Sequence, residues 1–339
     1  MTKETSRDTL REARRQGTYE TTIPFVLNGK PEVVTKKIVN GEMETHQLSR
    51  PIGEMITSGG LDQFRDLLRK VVLDVELGRE LQPLVYGPIY ETITDAHFPR
   101  VLDAKWALQG VVVFTELMEG QEVRFGRLDA LQGPTARILT FAAGFEYTRE
   151  ILDFNESFRV ELLNRALGEA HNALLNDIHL RPIITGTYTG PNLTTWTAPP
   201  AGNPNWVGVR NVIVEAQKAA VRAKRPGTVL LANPVMRAEI ELALTGGHNI
   251  GGTVFPAIGG IQQVVYYDSD AHHGYTGVAE NRAYLIRPRR GFKELVKQDL
   301  RIEAQAGDLS RLVQEQIVAY AHRGVYAALT ENVQQINLA

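Results

Sequence analysis

The stretch that decides the fold runs from residue 145 to residue 182 and reads FEYTREILDFNESFRVELLNRALGEAHNALLNDIHLRP. Apolar residues recur in it every four positions, the spacing of one face of an α-helix. They are Phe154, Phe158, Leu162, Ala166, Ala170, Leu174 and Ile178. Asp153 and Glu156 form a variant capping box at its start, and Pro182 is expected to stop it. The pattern predicts a helix over 153–180, roughly 40 Å long.

The residues before this helix predict a hairpin and a second helix. Asn28-Gly29 lies between two short apolar runs, the strongest local signal for a β-hairpin. A hairpin so early in the chain has little local core, so we expect it to pack on another copy of the molecule. One apolar stripe predicts a helix over 61–77 that ends at Gly78 and Pro83. Its members are Phe64, Leu67, Leu68, Val71, Val72 and Val75.

Residues 107–142 predict a long two-stranded excursion with a charged tip. The segment contains the β-rich run 111–114, a turn at 131–134 and a second strand-like run at 137–141. An isolated two-stranded ribbon is marginally stable in water. We therefore expect this excursion to lie on a neighbouring molecule.

The segment 186–205 is rich in Gly, Pro, Thr and Asn and predicts a boundary. Beyond it, helical and strand patterns alternate. Asn233 and Pro234 form an N-cap and first-turn pair. The predicted elements are a helix over 206–224, a strand over 228–232, a helix ending at Leu244, strands near 261–267 and 283–287, and a β-type run over 313–320.

Composition excludes several classes of function. The chain has 339 residues, a net charge of −2 and no cysteine, so disulfides, thiolate catalysis and cysteine-based metal sites are excluded. The near balance of charges argues against a protein that grips nucleic acid over a whole face. The charged first twenty residues do not resemble a signal peptide, and we expect a chain made in the cytoplasm without a membrane span.

No motif for chemistry stands out. The Gly-rich segment 246–252 lacks the Lys-Ser or Lys-Thr of a phosphate-binding loop, and we interpret it as a flexible loop. The segment 268–273 has acidic and His residues but is typical of an exposed turn. Arg287, Arg289 and Arg290 form a small basic cluster that could touch nucleic acid or an acidic neighbour, or be ordinary surface. We predict no catalytic, metal or cofactor-binding residue.

Taken in order, these elements resemble the HK97-like major capsid proteins of tailed bacteriophages. Three phrases carry the resemblance: 145–153 looks like the strand entering the spine helix, 228–234 like the central strand and helix start, and 307–326 like the closing segment. It implies an α+β capsid fold divided as follows. The parts are an N-terminal arm (1–60), a first P-domain part (61–106), the E-loop (107–142), the P-domain with its spine helix (143–205), an α/β A-domain (206–300) and closing P-domain strands (301–339).

The resemblance implies a subunit that self-assembles into hexamers and pentamers of an icosahedral shell around double-stranded DNA. It implies a virion location, assembly in the host cytoplasm, a separate scaffolding protein, a portal and a decoration protein, with no cofactor and no enzymatic activity. Candidates for contacts between subunits are the charged E-loop residues Glu116, Glu119, Glu122, Arg124 and Arg127.

Some members of this family join subunits by an isopeptide bond between an E-loop Lys and a P-domain Asn. This chain has no Lys from 106 to 217 and no Asn from 282 to 331, with Asp308 about where the Asn would fall. We therefore expect no such cross-link. Two alternatives stay open: an encapsulin-type compartment with the same fold, and a soluble α/β enzyme whose site has no recognisable motif.

Overall fold

The structure is a computed structural model and describes residues 18–27, 29–39, 42–48, 61–103, 135–148, 157–250, 253–306 and 313–338. These residues belong to two compact units. The first unit takes its residues from Met1–Leu84, Thr140–Leu175 and Gln298–His322, and the second from Val85–Leu139, Asn176–Lys297 and Arg323–Ala339.

The described residues form helices and strands in roughly equal measure. The helices are α1 (Leu61–Leu81), α2 (Ser157–Thr185), α3 (Asn205–Arg222), α4 (Arg237–Leu244) and α5 (Leu329–Asn332). The strands are β1 (Thr18–Leu27), β2 (Lys30–Val39), β3 (Glu42–Met43), β4 (Glu91–Thr94), β5 (Val101–Asp103), β6 (Thr135–Thr148), β7 (Leu193–Thr194), β8 (Val229–Ala232), β9 (His248–Ile250), β10 (Thr253–Phe255), β11 (Gln263–Tyr266), β12 (Arg282–Ile286), β13 (Phe292–Ala306), β14 (Val313–Ala327) and β15 (Val333–Asn337).

The first unit is built around the hairpin β1–β2 and the helix α1. The hairpin prediction is confirmed: Leu27 pairs with Lys30, and Gly29 has φ 76°, a conformation that glycine adopts at little cost. β2 alternates buried and exposed residues, so one face of the hairpin can be buried. Within this unit the strand order is β3-β2-β1-β13-β14-β6.

The expectation that the hairpin packs on another copy of the chain is wrong. Phe25, Leu27 and Val34 are buried in the same core as the apolar stripe of α1. β1 also pairs in parallel with β13, where Val26 lies opposite Glu303. The core that the hairpin lacks locally is supplied by residues about 40 and about 275 positions later in the sequence. The periodicity of apolar residues predicts contacts only between residues a few positions apart, so it gave no sign of this packing.

Helix α1 runs through Gly78 and ends at Leu81, so the prediction that Gly78 ends it is wrong. A side chain at Gly78 would overlap the backbone carbonyl of Arg165 in α2. A side chain at Gly168 of α2 would likewise overlap the carbonyl of Val75 in α1. Both glycines therefore serve a close contact between two helix backbones, and neither acts as a helix terminator.

Helix α2 confirms the predicted long helix but passes through Pro182 and ends at Thr185. Pro182 was expected to stop it because proline has no N–H and its ring crowds the carbonyl four residues earlier. Pro182 removes the one N–H that would bond the carbonyl of Ile178, and only three helical residues follow it, so the disturbance is confined to the end of the helix. The side chain of Thr185 bonds the carbonyl of Arg181 at 2.8 Å, which helps to close the end.

The second unit contains a five-stranded sheet in the order β11-β8-β12-β15-β7. β8 is buried along its whole length, as expected of a central strand. Helix α3 packs on this sheet through a shared core with β8, β12 and β15. The predicted cap is confirmed, because the side chain of Asn233 accepts a hydrogen bond from the N–H of Val235 at 2.8 Å.

Residues 246–250 of the Gly-rich segment are not the flexible loop that the sequence suggested. β9 and β10 form an antiparallel hairpin there, with Ile250 opposite Thr253. Gly247 has φ 92°, and a side chain at Gly246 would overlap the backbone N of Ala257. These glycines fit a tight turn and a close backbone approach. Long helices beside extensive sheet confirm the predicted α+β class, and no helix in the described ranges is long and apolar enough to span a membrane.

Candidate assembly elements

Strands β5 and β6 bring the two ends of the predicted E-loop together. They pair antiparallel, with Val101 opposite Arg137 and Asp103 opposite Thr135. The N–H of Ile138 also bonds the carbonyl of Arg100 at 2.9 Å. Residues opposite each other in an antiparallel pair have Cα atoms about 5 Å apart. The chain therefore leaves at Asp103 and returns at Thr135 at nearly the same point, as a protruding ribbon requires.

The base of this excursion is anchored on one face and exposed on the other. Ala136 and Ile138 are buried, whereas Leu139 and Val101 are half exposed. A side chain at Gly324 of β14 would lie 2.7 Å from the carbonyl of Arg137, so only glycine lets the two strands approach this closely. The alternation gives β6 one face toward its own unit and one face available to another molecule.

The predicted contact residues Glu116, Glu119, Glu122, Arg124 and Arg127 lie outside the described residues, between Asp103 and Thr135. Their role between subunits stays a prediction. The structure contributes the position at which the segment that carries them begins and ends.

A buried charged cluster lies beside this base in the second unit, centred on Glu294 of β13. Its carboxylate forms an ion pair with Arg323 and accepts hydrogen bonds from the hydroxyls of Tyr86, at 3.0 Å, and Thr92, at 2.7 Å. His179 Nε2 lies 3.5 Å from the same carboxylate. Glu294 is only 2% exposed, so its charge depends on these partners.

The partners of Glu294 outweigh the effect of its burial. Burial alone raises the pKa of a carboxyl group, but the hydrogen bond and charge of His179, the charge of Arg323 and the hydrogen bond of Thr92 lower the pKa of Glu294 to about 2. The ring of Tyr86 stacks on that of His179 with centroids 3.7 Å apart. The cluster therefore ties β13 to β4, to β14 and to the end of α2.

Three tyrosine hydroxyls bond the carbonyls at the C-terminal end of α2. Tyr90 donates to His179 O at 2.6 Å, Tyr188 to Ile183 O at 2.9 Å, and Tyr284 to Ile184 O at 3.1 Å. All three tyrosines are buried, and burial raises the pKa of each hydroxyl, so they remain neutral donors. The carbonyls of Ile183 and Ile184 lie in the last turn, where a helix leaves carbonyls without intrahelical partners, and that of His179 accepts the hydroxyl of Tyr90 one turn earlier.

Sequence reasoning missed Glu294 and the three tyrosines. Their partners lie up to about 200 positions away, so no local spacing predicts them. One weak signal exists: Glu294 lies two positions after Phe292 in a strand-like segment, on the same face as that buried ring. A carboxylate at such a position needs partners from elsewhere in the fold.

The acidic and histidine residues of 268–273 form a locally satisfied turn. Asp270 accepts from the backbone N–H groups of His272 and His273 and from the ring of His273 at 2.8 Å. Burial slightly opposes the charged form of Asp270, but these hydrogen bonds lower its pKa overall. In the described part of the chain, no group of three or more His, Asp or Glu residues is placed to hold a metal ion.

Comparison with known proteins identifies a family. The family model described as phage capsid protein matches residues 132–332. No match is found among curated protein sequences. Among solved structures, the chain is similar to a virus-like particle from Pyrococcus furiosus, with 11% identity over 80% of this chain and 99% of that one and a TM-score of 0.48.

Two further similar structures are a capsid and a compartment. The capsid of cyanophage P-SCSP1u has 12% identity, with 74% of this chain and 87% of that one covered and a TM-score of 0.47. The holo-SrpI encapsulin complex of Synechococcus elongatus PCC 7942 has 11% identity, with 61% and 75% covered and a TM-score of 0.39. The family match spans more than half of the chain, from the base of the excursion to the closing strands, and the resemblance seen in the sequence is confirmed. The chain belongs to the phage capsid protein family, and its place is in the virion shell.

Proposed function

We propose that this chain is the major capsid protein of a tailed bacteriophage, and that it assembles into hexamers and pentamers of an icosahedral shell around double-stranded DNA. The match of the phage capsid family over residues 132–332 carries the proposal. The work of such a subunit is mechanical: it forms several interfaces with its copies and performs no reaction. Large interfaces between copies are typical of permanent assemblies.

The pairing of β5 with β6 supports the part of this proposal that concerns the E-loop. Residues 104–134 begin and end at paired strands, so they can project as one unit onto a neighbouring subunit. Glu116, Glu119, Glu122, Arg124 and Arg127 then form ion pairs with that neighbour. In a closed shell this segment packs on a neighbouring subunit, whereas a lone two-stranded ribbon in water is only marginally stable.

Replacing residues 104–134 by Asn-Gly tests the E-loop without dismantling the subunit. Asp103 and Thr135 face each other across the ladder, which is the geometry that a two-residue hairpin turn closes. We expect the shortened chain to fold with an unchanged circular dichroism spectrum and to form no closed particles. Particles of normal yield and stability from this variant would remove the proposed role.

Charge reversal sharpens the same test. The double substitution Arg124→Glu and Arg127→Glu should weaken particles while the subunit stays folded. Lys218→Glu is the matched control, because Lys218 is exposed on α3 and pairs within its own helix with Glu215. Equal particle stability in the reversed variant and the control would contradict the assignment.

The remaining partners are inferred from the proposed function. A separate scaffolding protein, a portal and a decoration protein act with the chain, assembly takes place in the host cytoplasm, and no isopeptide cross-link joins the subunits. Electron microscopy and size-exclusion chromatography of the purified chain test the shell directly. A megadalton species with closed particles is expected. A compact monomer at high concentration would contradict it, and particles filled with a cargo enzyme would favour an encapsulin.

A further inference from the structure

Two loops meet at one end of the five-stranded sheet of the second unit. β8 begins at Val229 and β12 ends at Ile286, and these two residues face each other in the antiparallel ladder. The loop before β8 (223–228) and the loop after β12 (287–291) therefore leave the sheet side by side. Arg287 confirms their proximity, because its guanidinium donates to the carbonyl of Lys224 at 3.4 Å.

The two loops together carry four cations, which we call the basic edge: Lys224, Arg287, Arg289 and Arg290. Lys224, Arg289 and Arg290 are exposed and Arg287 is half-buried. Across the described residues no carboxylate pairs with any of the four, whereas Arg181, Arg237 and Arg323 of the same unit each have one. The pKa of Arg287 is lowered by burial and by the charge of Arg290, as expected where cations crowd together.

A carboxylate on a neighbouring element, Glu331, does not neutralise the edge. The backbone N–H of Arg287 bonds the carbonyl of Asn332, which places the 287–291 loop beside α5. Glu331 of α5 is exposed there but forms no ion pair with a described residue. The basic edge thus keeps an excess of positive charge on a chain whose net charge is −2.

The backbone holds two of these cations in an unfavourable conformation. Lys224 has φ 57° and Arg289 has φ 64°, and these are the non-glycine residues of the described chain with positive φ. Glycine or asparagine adopts this conformation at lower cost. Backbone hydrogen bonds fix both, from Lys224 N–H to Val221 O at 2.9 Å and from Arg289 N–H to Ile89 O at 2.8 Å. Strain that the surroundings maintain points to a role beyond folding.

A fifth basic residue, Arg225, secures the first loop from beneath. It is 8% exposed, and its guanidinium donates to the carbonyls of Thr330, at 2.6 Å, and Pro191, at 2.9 Å. All of its charge is directed inward, so it is not available to a partner. Arg225 therefore holds in place the loop that carries Lys224.

We propose that the basic edge binds the phosphate backbone of duplex DNA without reading its sequence. Three of its four cations are arginines, whose planar guanidinium groups bind phosphate in a bidentate manner. Neither loop contains a large apolar side chain, which an acidic protein partner would ordinarily need as an anchor. The inference rests on the proposed function, since a shell around DNA brings the chain close to phosphates.

Glycine substitutions test the edge without harming the fold. Lys224→Gly and Arg289→Gly remove two charges and also relieve two unfavourable φ angles, so the melting temperature should stay the same or rise. Binding is measured by fluorescence anisotropy of a labelled short duplex with the unassembled full-length chain. Arg237→Gln is the matched control, because Arg237 is exposed but already pairs with Glu241.

The salt dependence gives the expected size of the effect. Four phosphate contacts predict that affinity falls roughly 150-fold between about 50 and about 200 mM salt, and two contacts predict roughly 12-fold. The double glycine variant should show the smaller dependence, and the control the larger one. A second duplex of unrelated sequence should bind equally well.

Three results would overturn the inference: an unchanged salt dependence in the double variant, a strong preference for one duplex sequence, or displacement of the duplex by poly-glutamate at equal charge concentration. The last result would assign the edge to an acidic protein. Electron microscopy of the same preparations separates this inference from the proposed function. Closed particles with no DNA binding at the edge reject the inference alone, whereas a chain that forms no particles rejects the proposed function.

Discussion

Two regions of the long helix α2, its middle and its C-terminal end, are held by different kinds of interaction. In the first unit, Gly168 lets the backbone of α2 touch that of α1, and Asn172 of α2 donates to the carbonyls of Arg79, at 2.6 Å, and Gln82, at 2.9 Å. In the second unit, the end of α2 is held by tyrosine hydroxyls and, through His179, by the Glu294 cluster. The middle of α2 combines a close backbone contact with the hydrogen bonds of Asn172, whereas the C-terminal end depends on buried hydroxyl and charged groups.

This difference indicates which substitutions each of the two regions of α2 tolerates. Close backbone contact fails when a single methyl group is added, because interiors are packed to crystal-like density. A buried polar cluster tolerates changes of shape better but fails when one partner is removed, because the other partners keep their desolvation cost. Each of the following substitutions changes one of these two regions of α2 and should leave the other unaffected.

Removing the carboxylate of Glu294 should have the largest effect. Glu294→Ala removes the carboxylate that forms the ion pair with Arg323, a cation that is only 6% exposed. We expect a loss of about 3–5 kcal/mol in the free energy of unfolding. Urea denaturation of the unassembled chain measures it. The matched control is Glu91→Ala on the neighbouring strand, because Glu91 pairs with Lys293 at the surface and should cost less than about 1 kcal/mol. Equal losses in the two variants would refute the cluster's role.

Acid should weaken the same end of α2 through Glu294. Its pKa is about 2 in the folded chain, below the ordinary value of 4.5, so the folded state binds its proton less readily than the unfolded state. The stabilisation is complete above about pH 4.5 and is lost as the pH falls toward 2, by an amount on the order of 3 kcal/mol. Glu294→Gln should flatten this part of the stability curve. A variant with the same acid dependence as the wild type would contradict the assignment.

A substitution at Gly168 tests the backbone contact at the middle of α2. Gly168→Ala should cost about 1–3 kcal/mol, because the added methyl group would overlap the carbonyl of Val75 and force α1 and α2 apart. Gly259→Ala is the matched control, since a methyl group at Gly259 would meet nothing within 4 Å. Amide hydrogen exchange should become faster in α1 and in the part of α2 around Gly168. A stabilised Gly168→Ala variant, as helix propensity alone predicts, would show that the backbone contact is unimportant.

These positions also mark where sequence reasoning succeeded and failed. Periodicity predicted α1, α2 and α3, and the Asn233 cap, because each depends on residues a few positions apart. Gly78 and Pro182 were interpreted as terminators because that is their local preference, yet Arg165 and the end of α2 decide their roles. A tertiary contact can override a local signal, and one sequence contains no record of it.

The candidate site was predictable only in outline. Residues 107–142 were predicted as a two-stranded excursion; residues 107–134 lie outside the described residues, and β5 and β6 pair beside them. Glu294 was not recognised, and of the basic edge only the cluster of Arg287, Arg289 and Arg290 was noticed, with ordinary surface left open as its role. Glu294 gathers partners from β4, α2 and β14, and Lys224 joins the arginines only because β8 and β12 are neighbours in the sheet. Long-range strand pairing creates both clusters.

The smallest expected effect concerns the tyrosines that bond the carbonyls at the end of α2. Tyr284→Phe removes one hydroxyl and leaves the carbonyl of Ile184 without that donor, which should cost about 1 kcal/mol. The ring remains, so its packing is unchanged and the loss reports the hydrogen bond alone. Tyr266→Phe is the control, since the ring of Tyr266 lies against Arg237 of α4 and its hydroxyl does not bond the end of α2. If the end of α2 depends on these hydroxyls jointly, Tyr188→Phe combined with Tyr284→Phe should cost more than the sum of the single changes, because two adjacent carbonyls then lose their donors in one buried turn. Strict additivity in this double-mutant cycle would show that each hydroxyl stabilises the end of α2 independently of the other.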